Sequence, residues 1–199
     1  MGSRLLQRLT ASAYTVHAFD ERDALSDTPL LNNANIVRHG SALEAASAAD
    51  VVILAIPYEA EQAFAESVRD ALGDRIIVSL TNPLTPSLTD VVTPHDESAA
   101  EHLALLMPHA RVVKALNTLS AGALETPHTT QPLFDTFVAS DHRAAAAVVE
   151  EIISTIGFRP WFVGDLILSR TLERMSALLI GVAMRYDLQG ALGWRVEQH

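Results

Sequence analysis

The residues of this chain best placed to do chemistry are polar groups that terminate apolar runs. Arg111-Val112-Val113-Lys114-Ala115-Leu116 reads as a buried strand over 112–116, and it stops abruptly at the polar pair Asn117-Thr118. Thr81-Asn82-Pro83 closes the apolar run 75–80 in the same way, and Asp20-Glu21-Arg22 closes the run 14–19. In an open α/β sheet, ligands bind in the crevice beyond the carboxyl ends of the strands, so polar groups at strand ends outrank polar groups elsewhere. Their chemistry is recognition by hydrogen bonding. The Asn82 amide both donates and accepts. A carboxylate such as Asp20, at the end of the strand after a nucleotide-binding turn, accepts from ribose hydroxyls and repels a 2′-phosphate, whereas Arg22 attracts one. Lys114 offers an amine, but pairing with an acid or snorkelling to solvent accounts for it more readily than catalysis does.

Several chemistries are excluded. The chain has no cysteine, so disulfides, thiolate nucleophiles and cysteine-ligated metals are absent. Its eight histidines form no His-x-x-x-His or His-Glu-x-x-His pattern, and His95, His102 and His109 are merely near one another in sequence; no metal is expected. There is no Gly-x-Ser-x-Gly elbow. With 14 basic and 24 acidic residues, the net charge of −10 opposes nucleic acid while leaving room for a local basic pocket. No apolar run spans a bilayer, the longest candidate being 178–184. Without a secretory signal, a cytoplasmic protein acting on a small molecule is expected.

The elements that must position these residues alternate from residue 14 onward. Strands are expected over 14–19, 35–39, 50–56, 75–80, 112–116, 134–139 and 159–163. Helices fall between them, over 41–49, 59–72, 98–107 and 141–156. This pattern predicts a single α/β domain, 1–199, with a Rossmann-type doubly wound, mostly parallel sheet and helices on both faces. Asp50-Val51-Val52-Ile53-Leu54-Ala55-Ile56 has the continuous apolarity of a central strand. Ser98 and Glu101 form a capping box. The long polar segment 81–96 reads as a functional or irregular loop. Helix 168–185 carries an apolar stripe (Leu172, Met175, Leu178, Leu179, Val182) assigned to the core, with a dimer interface as the alternative. Residues 192–196 read as an edge strand.

Such a fold should open with a strand and Gly-x-Gly-x-x-Gly leading into a helix. This chain opens at Met1-Gly2-Ser3, with Leu5, Leu6 and Leu9 on one helical face. If Gly2 is the third glycine of the motif, Gly2 and Ser3 start the helix that receives a pyrophosphate, and the first strand is missing from the chain as given. An incidental Met-Gly-Ser start is the alternative; the acid about 20 residues on favours the first reading.

Ser98-Ala99-Ala100-Glu101, then Met107-Pro108-His109-Ala110-Arg111, then Val112 through Thr118, together with Asn82-Pro83-Leu84, Ile156-Gly157-Phe158-Arg159-Pro160 and Gly164-Asp165, resemble the NADP oxidoreductases that use the deazaflavin coenzyme F420. The cytosolic reductase domains of membrane ferric reductases look like the same family. The resemblance covers nearly the whole chain and is strongest over 50–164. It implies that Ala55, Ile56, Pro57 and Tyr58 pass the ribose and pyrophosphate, that Thr81, Asn82 and Pro83 serve the nicotinamide side, and that Asn117 and Thr118 line the cleft. The implied cofactor is NADP, with NAD possible because Asp20 stands where the family carries a small polar residue. A deazaflavin or flavin is the implied second substrate; a homodimer is the expected assembly. Hydride transfer between stacked rings is an orientation effect, so no catalytic acid or base is assigned. The alternatives are a dinucleotide sensor without turnover and a small imine- or hydroxyacid-type dehydrogenase.

Overall fold

The computed structural model of the chain describes residues 1–21, 29–69, 71–126 and 134–198. Helix α1 (Gly2–Leu9) turns Leu5, Leu6 and Leu9 inward. Strand β1 (Val16–Ala18) pairs in parallel with β2 (Ile36–Arg38). Helix α2 (Ala42–Ser47) starts at Ser41, whose hydroxyl accepts from the Glu44 N–H. Strand β3 (Val51–Leu54), helix α3 (Tyr58–Val68), strand β4 (Ile76–Ser79), helix α4 (Ala99–Leu106) and strand β5 (Arg111–Lys114) then alternate as the sequence predicts. Strand β6 (Asp135–Ala139), helix α5 (Arg143–Thr155), strand β7 (Arg159–Gly164) and helix α6 (Ser169–Arg185) complete the fold.

The main sheet has the order β3-β4-β5-β6-β7. Its pairs are parallel except β5–β6, which meet antiparallel at Lys114 and Ala139. The reversal has a local cause. Each parallel pair from β3 to β5, and β6–β7, is joined through a crossover helix, whereas only a 3-10 turn, Ala121–Glu125, is described between β5 and β6. The β1–β2 pair forms a separate two-stranded sheet. Helix α1 bridges the two pieces. Leu5 and Leu9 pack in one cluster with Ile76 and Val78 of β4, and Leu6 packs with Ile36 of β2.

Helices cover both faces of the main sheet, as expected. Alternate residues of β4 go to opposite layers: Ile76 and Val78 pack with α1 and α5, and Ile77 packs with α3 and α4. The segment 81–96 is not structureless. Leu84 bridges Val91 antiparallel, Thr85 N donates to Asp90 O at 2.8 Å, and Val92 N donates to Pro83 O at 2.6 Å.

Two expectations need correction. Residues 192–196 form a single antiparallel bridge, Trp194 to Asp135, in place of a strand. The Asp135 carboxylate takes the Val196 N–H at 2.5 Å, so a side chain does the work of the ladder there. The stripe on α6 also does not face the core as a unit. Leu172 is buried, but Leu178 and Val182 are exposed, and the inward positions are Ser169, Leu172, Glu173, Ser176 and Ala177. Polar partners beneath the helix, described next, set that rotation.

Candidate functional site

The carboxyl ends of β3, β4 and β5 and the start of α1 share one edge. Past β3, Ala55 is half-buried, Ile56 and Pro57 are exposed, and Pro57 stands at the N-cap of α3 in extended conformation. Gly2 lies against this turn: a Cβ on it would sit 3.5 Å from Ala55 Cβ. Ser3 beside it is exposed. The N-cap residue, Met1, makes no side-chain cap bond, and the positive end of the α1 dipole lies at the turn after β3. Asp20, two residues beyond β1, is half-buried and Glu21 is exposed. Arg22 lies outside the described residues.

Beneath this edge is a buried ionic cluster. Lys114, the last residue of β5, is fully enclosed, and its Nζ lies 2.9 Å from Oε1 of Glu173, also fully enclosed. The ammonium further donates to the Thr81 carbonyl and sits 3.5 Å from Ser79 Oγ. Lys114 is therefore the paired cation of the two bland readings, and it does not snorkel. Glu173 has a second task. Its carboxylate accepts from the N–H groups of Ala99 (3.0 Å) and Ala100 (3.3 Å), capping α4 from a distance and meeting the positive end of that helix dipole.

Glu61 of α3 completes the cluster. Thr81 Oγ1 donates to its Oε2 at 2.7 Å, while Oε1 is buried with no partner among the described residues. Burial pushes the Glu61 carboxyl above its ordinary range, and the nearby Glu173 adds to this. Lys114 and hydrogen bonds from Thr81 and Ser79 oppose the shift without cancelling it.

Asn82 and Asn117 clasp each other. Asn82 Nδ2 donates to Asn117 O at 3.1 Å, and Asn117 Nδ2 donates to Asn82 Oδ1 at 2.9 Å. Asn117 Nδ2 also reaches Leu172 O at 2.9 Å, and Ser176 Oγ donates to Asn117 O at 2.6 Å. Leu116, just before it, has φ of 60°, a left-handed conformation unusual for a branched residue, which turns the chain inward. Asn117 is 2% exposed and ties the end of β5 to α6 from below, while Thr118 is wholly enclosed and its hydroxyl has no partner among the described residues. Thr81 and Pro83 are likewise buried. The residues brought to the surface of the edge are Gly2, Ser3, Ala55, Ile56, Pro57, Tyr58 and Asn82.

Two residues of the site, Glu61 and Glu173, are absent from the sequence expectations, and His102 enters them only among the histidines set aside as metal ligands. Tyr58, in the first turn of α3, places its hydroxyl 2.8 Å from His102 Nδ1 of α4, and His102 Nε2 lies 2.6 Å from Glu97 Oε2. The spacing Tyr58-x-x-Glu61 puts both on one helical face, and Glu173 falls at an apolar-stripe neighbour; those were the available signals. Two hollows of about 430 and 390 Å³ lie elsewhere. The first borders Arg170 and Arg174 of α6, and the second lies at the amino ends of β3 and β4. Neither includes the carboxyl-end residues of the strands. No cluster of three metal-ligating side chains occurs among the described residues.

Residues 1–83 match the profile of the family described as NADP oxidoreductase, coenzyme F420-dependent. The F420-dependent NADP reductase of Methanothermobacter thermautotrophicus is 31% identical over 199 aligned residues, covering 96% of this chain and 81% of its own length. The metalloreductase STEAP3 of Rattus norvegicus is 31% identical over 138 residues, 69% of this chain but 27% of that protein. Among solved structures, a candidate F420-dependent NADP reductase from Arthrobacter sp. FB24 superimposes with a TM-score of 0.79 at 19% identity, over 98% of this chain and 96% of its own.

Proposed function

We propose that this chain, which belongs to the family of the F420-dependent NADP reductases, transfers hydride between NADP(H) and a deazaflavin or flavin-like acceptor. The observation that carries the reading is the meeting of the start of α1 with the turn after β3, Gly2 against Ala55, in a chain alike to such reductases over nearly its whole length. A helix N-terminus there suits a pyrophosphate. Gly2 and Ser3 would hold it, Ala55 through Tyr58 would flank it, Asp20 would meet the adenosine ribose, and Asn82 would face the nicotinamide side. When bound, the dinucleotide supplies the hydride. The protein's share is to fix two flat rings against each other and keep water from the edge, an effect of orientation.

Asp20 bears on the choice of dinucleotide. Its carboxylate suits the free hydroxyls of NAD, and Arg22 suits the 2′-phosphate of NADP. The apolar residues that α6 leaves outside, Leu178, Val182 and Met184, support a homodimer through this helix. A reducing cytoplasm is the setting that fits a chain without cysteine.

The test is a titration with NADPH and NADH followed by nicotinamide fluorescence, then reduction of deazaflavin and of FMN followed by absorbance. Saturable NADPH binding with acceptor reduction is the expected result. Binding without reduction of any acceptor would leave a dinucleotide sensor, and binding of neither dinucleotide would overturn the reading.

A further inference from the structure

Orientation accounts for the hydride but not for the proton that accompanies it. Reducing a deazaflavin or flavin ring by two electrons adds a hydride at one ring atom and a proton at a ring nitrogen, and the nicotinamide supplies only the first. The end of β3 carries a side-chain sequence suited to the second. Tyr58 OH lies 2.8 Å from His102 Nδ1, and His102 Nε2 lies 2.6 Å from Glu97 Oε2. Tyr58 is half-buried beside the turn that meets α1, the His102 side chain is 26% exposed, and that of Glu97 is 47% exposed. The three therefore form a graded path from the turn after β3 to solvent.

We propose that Tyr58 and His102, with Glu97 orienting the His102 ring, relay the proton that the reduced acceptor takes up. This rests on the hydride-transfer reading above. As the nicotinamide C–H bond breaks and its electron pair goes to the acceptor ring, the Tyr58 O–H gives its proton to the ring nitrogen. The Nδ1–H of His102 replaces that proton on the Tyr58 oxygen. His102 recovers a proton from solvent, so one solvent proton is consumed per hydride transferred. Nicotinamide is oxidised and the acceptor reduced; the reverse reaction runs the same path outward.

The surroundings explain why a histidine must follow the tyrosine. Burial holds the Tyr58 phenol above its ordinary range, and Glu173 of α6, Glu61 and Glu59 of α3, and Glu97 ahead of α4 push the same way. A free phenolate would stand among these carboxylates, so the proton leaving Tyr58 has to be replaced as it goes. His102 itself faces Glu97 on one side and Glu101 of its own helix, while Lys114 is spent on Glu173.

The experiment compares the full chain with Tyr58→Phe, His102→Gln and Glu97→Gln. NADPH affinity is read by fluorescence, and acceptor reduction is followed in H2O and D2O across pH, with NADPH deuterated at the transferred position as a second arm. Expected for His102→Gln is NADPH affinity within about twofold, and for both His102→Gln and Tyr58→Phe an acceptor reduction lowered about 100-fold at saturating NADPH, with a pH profile and solvent isotope effect that differ from those of the wild type. Added imidazole should restore rate to His102→Gln. Because His102 lies on the rim, that variant carries the test even if Tyr58→Phe loosens the α3–α4 contact. Wild-type rate, pH profile and solvent isotope effect in both variants would reduce the chain of bonds to a tether and overturn the relay. A wild-type chain that binds NADPH but reduces no acceptor overturns the hydride-transfer reading itself, and the relay with it.

Discussion

Replacing Lys114 by Met removes one half of an ion pair that has no access to water. At 2.9 Å, and with an effective dielectric constant of about 20, the Lys114–Glu173 attraction is about 6 kcal/mol. Most of that offsets the cost of drying both ions, so the pair itself contributes little net stability. The single change is different, because it leaves the Glu173 carboxylate dry with only the Ala99 and Ala100 N–H groups as partners. Stranding a buried charge in this way costs about 3–5 kcal/mol. For a domain of this size, each kcal/mol lowers Tm by about 2–4 °C, so the fall should be roughly 6–20 °C. Urea unfolding of the wild type, Lys114→Met, Glu173→Leu and the double variant gives the full cycle. The double variant should be more stable than the sum of the single losses predicts, since it leaves neither ion behind. A loss below about 1 kcal/mol for Lys114→Met would refute the reasoning, because it would mean that water reaches the pair.

Other perturbations test other parts of the structure. Glu61 has its pKa raised in the folded protein, so the native state holds the proton more tightly than the unfolded chain; stability is greatest below the ordinary carboxylate range and falls as pH rises toward the folded value. Glu61→Gln should abolish that decline in urea midpoint between acid and neutral pH while keeping an acceptor for Thr81. Asp135 runs the opposite way. Burial pushes it up, but Arg159, the Val196 N–H and Trp161 outweigh this, so it lies below its ordinary value and stabilises the fold at neutral pH, losing that contribution as pH falls through the folded value. Asp135→Asn should lower Tm at pH 7 and flatten the acid limb of a pH–Tm profile. Asn117→Ala removes an amide that joins Asn82, Leu172 and Ser176, and should cost about 1–3 kcal/mol in urea unfolding. Leu178→Glu with Val182→Lys should leave Tm within about 2 °C at fixed low concentration but shift the mass by light scattering to that of a monomer, if α6 is the dimer interface.

The strand ends show how far the residue pattern reaches. Apolar runs at 50–56, 75–80 and 112–116 were legible because a strand covered on both faces must be apolar throughout, and each became a neighbour in the main sheet. Ser98 and Glu101 were legible as a cap because that bond is local. Ser98 Oγ accepts from the Glu101 N–H at 3.1 Å and donates to Glu101 Oε2 at 2.7 Å. The residue types at the strand ends were legible too, but not which of them reach the surface. Asn82 lies at the edge, whereas Asn117 is drawn beneath it by Leu172 and Ser176, a distance of more than fifty residues along the chain.

Helix α6 marks the boundary most clearly. Its apolar period points to a core face through Leu172, Leu178 and Val182, yet the helix turns Glu173 and Ser176 inward and leaves Leu178 and Val182 outside. Hydrophobic periodicity measures only the gain from removing apolar surface from water. It carries no record of a lysine sixty residues earlier that is already buried and needs an anion. The sequence by itself determined the α/β alternation, the strand ends and the local caps, all of which follow from neighbouring residues. Tertiary structure alone decided the rotation of α6, the partner of Lys114 and the Tyr58–His102–Glu97 contact, because a buried charge or a buried amide is satisfied by whatever the fold brings beside it.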